Sequence, residues 1–128
     1  MPGLDREKHA AFWKTSAEED LGAAARLLET GHRRHGLFFA HLAVEKALKG
    51  LATLRTGEVP PKSHDLLRLA DVAGLVVDEA RAMSMARLGR FCMEGRYPES
   101  WAPPPTEELA AEILEESKGL VAWLSSMS

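Results

Sequence analysis

The sequence predicts an all-α protein, an up-and-down bundle of four long helices and one short helix. Three observations carry that expectation. The apolar vocabulary is 19 Ala and 18 Leu against 6 Val and one Ile, and Ala and Leu favour helices whereas β-branched residues favour strands. Apolar residues recur at the three-to-four spacing of one helical face. Gly- and Pro-bearing stretches separate those periodic segments.

The first helix is expected from about Asp5 towards Leu28, with Trp13, Ala17, Leu21, Ala24 and Leu28 on one face. Ser16-x-x-Glu19 resembles a capping box and marks an alternative start. Nothing between Leu4 and Ser16 breaks a helix, which favours the longer version. Gly31 and Gly36 bracket HRRH and read as the connection. The second helix spans about Leu37 to Thr56 and ends at Gly57 with Pro60-Pro61. Ser63 is the expected N-cap of a short third helix through Leu66, Leu67, Leu69 and Ala70 to about Ala73. A fourth runs from roughly Val77 to Glu94, with Val77, Ala80, Ser84, Leu88, Phe91 and Cys92 inward, and Gly95 ends it. RYPESWAPPP excludes helix because Pro lacks the backbone donor. Thr106 caps the last helix, Glu107 and Glu108 suit its positive end, and Leu109, Ile113, Leu120 and Leu124 form its buried stripe.

At 128 residues the chain is expected to form one domain, residues 1–128, large enough to bury a core without staples. The one cysteine, Cys92, has no partner for an internal disulfide. No stretch approaches the roughly 20 apolar residues of a membrane span, and Asp5 and Glu7 interrupt any leader. A soluble cytoplasmic protein is therefore expected. The formal charge of -3 makes any nucleic-acid contact local rather than a property of the whole surface.

The segment HLAVEKALKG, residues 41–50, places charges inside the most apolar part of the chain. At 100° per residue, His41, Glu45 and Lys49 fall within about 80° of one another, and Lys46 and Thr53 widen that sector to about 140°. The rest of the circumference is apolar, wider than an ordinary surface helix needs. The second helix should therefore be central. The plain reading of the charged sector is a solvated strip held by Glu45 and Lys49, four apart in the favoured order. The functional reading is a polar groove for an anionic ligand or partner. His41-x-x-x-Glu45 is a weak metal signal, as is Glu29-x-x-His32, so no metal is expected.

Pro60-Pro61-Lys62-Ser63-His64-Asp65 presents a helix start whose backbone N–H groups and dipole attract phosphate, with Lys62 adding charge. Alternatively Ser63 caps, Asp65 complements the dipole, and His64 packs against Tyr97 or a neighbouring helix. Arg96-Tyr97-Pro98 ends the fourth helix, with Arg87 and Arg90 upstream. Arg side chains suit phosphate and equally suit Glu94, Glu99 or a subunit interface. Trp101 anchors its loop or, if exposed, marks a partner surface. Met83 and Met85 read as adaptable packing.

FFAHLAVEKALKGL, then PPKSHDLLRL, then RYPE before a last helix together resemble the HEPN domain, most closely its small stand-alone prokaryotic kind. AEEDLGAAARLL is similar to that family's first helix. The specific combination is EKALK followed by SHDL at this separation. The resemblance covers nearly the whole chain and implies a helical bundle that forms a homodimer. It also implies a neighbouring minimal nucleotidyltransferase, in what look like toxin–antitoxin pairs. Matching residue by residue, the positions of interest are Glu45, Lys46 and Lys49, then His64 and Asp65, then Arg96, Tyr97 and Pro98. His41 and Leu42 stand where glutamines are common.

Ribonucleases of the wider superfamily carry Arg, four to six residues, then His near the fourth helix. No histidine follows His64 in this chain, so ribonuclease activity does not transfer. The expectation is a non-catalytic dimer binding a nucleotide, an RNA or a nucleotidyltransferase partner. Its site would comprise Glu45, Lys46, Lys49, Lys62, His64, Asp65, Arg96 and Tyr97, with no cofactor. One alternative is a metal-independent ribonuclease toxin using His64 as general base and Arg96 to stabilise the phosphorane. Another is a structural adaptor without a ligand.

Overall fold

Residues 5–97 and 103–127 are described by the computed structural model, with the side chains of Glu94 and Arg96 excepted. Among these residues five helices follow in order: α1 (Arg6–Glu29), α2 (Arg33–Thr56), α3 (Leu66–Val72), α4 (Glu79–Arg96) and α5 (Glu107–Ser125). No strand occurs among the described residues. The all-α bundle of four long helices and one short one is therefore observed. Pro98, Glu99 and Trp101, which the sequence offered as loop and contact residues, lie outside the described residues.

The α1–α2 pair is built on small side chains. Ala10, Ala17 and Ala24 of α1 are buried at seven-residue intervals, as are Gly36, Ala43 and Gly50 of α2. A Cβ added at Gly36 would lie 3.1 Å from the Ala24 carbonyl oxygen and 3.0 Å from Leu28 Cδ2. One added at Gly50 would lie 3.1 Å from Trp13 Cβ and 3.5 Å from the Ala10 carbonyl oxygen. The same antiparallel register places Ala17 with Ala43. Close approach of two backbones requires the missing side chains. Gly36 is thus inside α2 rather than at the end of the connection, which is shorter than expected. Gly31, at φ 83°, supplies the left-handed turn there.

α2 is the central helix, packing against each of the other four. Leu37, Ala40, Val44, Leu48 and Leu51 enter one core with Leu66 and Leu69 of α3, Met85, Leu88 and Phe91 of α4, and Ile113, Leu120 and Leu124 of α5. Thr106 caps α5 by accepting from the Leu109 N–H at 3.1 Å, as expected.

One cap and one helix start differ from expectation. The N-cap of α3 is Asp65, whose carboxylate accepts from the N–H groups of Leu67 and Arg68, while Ser63 Oγ accepts from the Asp65 N–H in the preceding turn. The N-cap of α4 is Asp78, so that helix starts two residues after Val77. Of the inward face expected for α4, Leu88, Phe91 and Cys92 are buried, Ala80 is exposed, and Met85 joins the core while Met83 faces outward. Ser84 is half-buried and donates to Glu116, which also accepts from Arg87.

Gly36→Ala is expected to lower stability by about 1 kcal/mol, because overpacking against a backbone carbonyl outweighs the gain in helix propensity. Gly22→Ala, with nothing within 4 Å of an added Cβ, should instead raise stability by about 0.5–1 kcal/mol. Urea unfolding of the two variants checks the opposite signs.

Candidate functional site

Because α1 lies so close to α2, the charged sector of α2 is covered. His41 and Thr53 are fully buried, Glu45 is 4% exposed and Lys49 8% exposed. The solvated strip is therefore corrected: this is an internal polar column, one side chain per turn. Glu45 stands at its centre. Its Oε2 accepts from Lys49 Nζ at 2.9 Å, and its Oε1 lies 3.0 Å from His64 Nδ1. His41 Nδ1 is further off, 3.7 Å from the same Oε1. Thr53 closes the column by donating from Oγ1 to the Lys49 carbonyl at 2.8 Å.

Three chain segments meet here. Lys49 Nζ sits 5.7 Å from the centre of the Trp13 ring of α1, close enough for a cation–π attraction. His64 arrives from the α2–α3 connection, where Pro60 and Pro61 forbid helix and Asp65 delays α3. Its side chain remains 48% exposed although its Nδ1 reaches the buried carboxylate. His64 therefore packs on a neighbouring helix, one of the two placements the sequence allowed.

Burial pushes the Glu45 carboxyl up, but hydrogen bonds from Lys49 and His64, together with their charges, outweigh it and hold the group below its ordinary value. A buried acid held this way is a charge compensated inside the fold, not a free ligand contact. Lys46 is compensated as well. Its Nζ lies 2.7 Å from Asp20 Oδ2 and donates to Ser16 Oγ at 2.8 Å. Ser16 is thus mid-helix and serves α2 rather than starting α1.

The structure brings Glu45, Lys49 and His64 together and turns Lys46 towards α1. Lys62 is exposed two residues before His64. Asp65 fills the start of α3 with its own carboxylate, which takes up the N–H groups expected to attract phosphate. Tyr97 is 46% exposed at the end of α4, and the Arg96 side chain is outside the described part of the molecule. Trp13 and Asp20 are the participants that spacing alone did not assign. Their signal is positional: each lies on the α1 flank beside the Ala10, Ala17 and Ala24 seam. Among the described residues no three His, Cys, Asp or Glu side chains gather as a metal ion would require, and no helix is long and apolar enough to cross a membrane.

Glu45→Ala should cost about 3 kcal/mol, the low end for removing one partner of a buried ion pair, because Lys49 is left uncompensated. The stabilisation from a depressed carboxyl is present above its unfolded value and is lost as pH falls through its folded value. The stability difference between wild type and Glu45→Gln is therefore expected to shrink as pH falls below about 4.5. Chemical denaturation across pH 3–5 measures it, and a difference growing as pH falls from 4.5 to 3 would contradict the assignment.

The family model of the HEPN domain matches residues 10–127. No curated protein matches the sequence significantly. Among solved structures, TT1696 from Thermus thermophilus superposes with a TM-score of 0.80 at 28% identity, covering 94% of this chain and 98% of that one. ST0689, described as an archaeal HEPN homologue, superposes with a TM-score of 0.71 at 22% identity, covering 92% of this chain and 96% of that one. The helices that bring EKALK and SHDL together at Glu45 and His64 are the ones these matches span, and the chain belongs to the HEPN family.

Proposed function

We propose that this chain is a non-catalytic HEPN homodimer that binds a nucleotide, an RNA or a minimal nucleotidyltransferase partner through the surface around His64. The observation that carries the reading is the hydrogen-bond contact between half-exposed His64 and buried Glu45. An imidazole fixed from behind loses little conformational freedom when a ligand meets it. Exposed Lys62 adds a cation for phosphate, which a lysine binds as a point charge. Lys49 supports this surface from within through Glu45, while Lys46 ties α2 to α1 through Asp20. Asp65 orders the start of α3, and Tyr97 and Arg96 join the candidate site on the family resemblance alone. The toxin–antitoxin pairing belongs to the same proposal and rests on the family resemblance alone.

Calorimetry with nucleoside triphosphates, with single-stranded RNA and with a purified minimal nucleotidyltransferase tests the reading. Binding to at least one, weakened about tenfold by Lys62→Ala with His64→Ala, is the expected result. No binding to any of the three by a folded dimer would sink it. Light scattering of the same sample at micromolar concentration should exceed the 14.0 kDa monomer.

A carboxylate-held histidine is also the arrangement of a general base, which gives the ribonuclease reading one specific observation in its favour. In that reading His64 would take a 2′-hydroxyl proton and Arg96 would stabilise the phosphorane. RNA cleavage that survives His64→Ala excludes it.

A further inference from the structure

Lys49 is buried beneath Trp13 and cannot serve a ligand directly, yet it shares Glu45 with the one site histidine that reaches the surface. The two carboxylate oxygens are divided between them: Oε2 accepts from Lys49 Nζ, and Oε1 faces His64 Nδ1 at 3.0 Å. An ionised carboxylate only accepts. The proton of the Oε1 contact therefore belongs to His64 Nδ1, and in the neutral ring the lone pair falls on Nε2. That tautomer persists only while Glu45 stays ionised. Burial favours the neutral acid, and a protonated Glu45 could instead donate to Nδ1, moving the ring proton to Nε2. Lys49 is the ammonium group in hydrogen-bond contact with Glu45, and Trp13 confines Lys49 on its outer side.

We propose that Lys49 and Trp13 are positioning residues that set the tautomer of His64 through Glu45, without touching the ligand. The inference rests on the His64 surface as the binding site, but the tautomer is measurable without any ligand. Lys49 is thereby reassigned from a contact residue to a residue acting through another. The relay crosses three segments, from Trp13 on α1 through Lys49 and Glu45 on α2 to His64 on the connection. Outer partners of this kind commonly fix which ring nitrogen of a histidine carries the proton.

Nitrogen-15 NMR of the imidazoles, on the full chain at a pH where His64 is neutral, provides the test. Wild type should show His64 protonated on Nδ1. Lys49→Met should move the population towards the Nε2-protonated form, Lys49→Arg should restore the wild-type signature, and Trp13→Leu should fall between. Nucleoside triphosphate affinity, read by calorimetry, should drop about tenfold in Lys49→Met and recover in Lys49→Arg. A merely structural role would change melting temperature without moving the tautomer. His64 protonated on Nε2 in wild type overturns the inference even if Lys49→Met fails to fold. A tautomer unchanged in folded Lys49→Met overturns it too. If the tautomer behaves as expected and no triphosphate binds, the positioning stands and nucleotide binding fails. If wild type and Lys49→Met bind equally with one tautomer, the binding site stands and the positioning fails.

Discussion

The close approach of α1 and α2 is the constraint on which the rest of the molecule depends. Gly36 and Gly50 let α1 come near enough that the Ala24 carbonyl and the Trp13 Cβ, respectively, would crowd an added Cβ. With the gap between helices this narrow, α1 covers one flank of the polar sector of α2. Trp13 lies over Lys49, and Asp20 meets Lys46. Larger side chains along the seam would separate the helices and admit water, and the same charges would become an ordinary wet surface. The small-residue spacing thus decides whether Glu45 and Lys49 are a surface pair of slight worth or a buried pair whose disruption is costly.

Once buried, Glu45 must have partners, because desolvation of a carboxylate is offset only by hydrogen bonds and opposite charge. The two partners come from different directions. Lys49 is one turn along the same helix and would be near in any helical conformation. His64 is nineteen residues away and is brought in by the connection. The need to satisfy a buried acid therefore ties the 57–65 connection to α2 and places an imidazole at the surface in a fixed orientation. Stability and the candidate function depend on the same contact.

Much of this was legible in the residues themselves. Helix composition, the αL glycine at Gly57, the Pro60-Pro61 break and the Thr106 cap are local, and local rules predict them. The EKALK and SHDL segments stood out as a combination only through the family resemblance, and the fold joins them through Glu45 and His64. The misreadings have a common origin. Gly36 has poor helix propensity and reads as a boundary; only the facing Ala24 carbonyl explains why it stays helical. Ser63 and Asp65 are both good capping residues, and the choice between them depends on where the chain must run for His64 to reach Glu45. The charged sector of α2 reads as wet because amphipathic spacing says which residues share a face, not what lies over that face.

By itself, then, the sequence determined the all-α class, the number of helices, most of their ends and the grouping of His41, Glu45, Lys49 and Thr53 on one sector. These follow from backbone propensity and helical period, which act over a few residues. Only the tertiary structure decided that the sector is buried, that Lys46 turns to Asp20, and that Glu45 is shared between Lys49 and His64. Those outcomes depend on how close two helices come and on which distant group arrives to neutralise a desolvated charge, and both are set by packing across the whole chain.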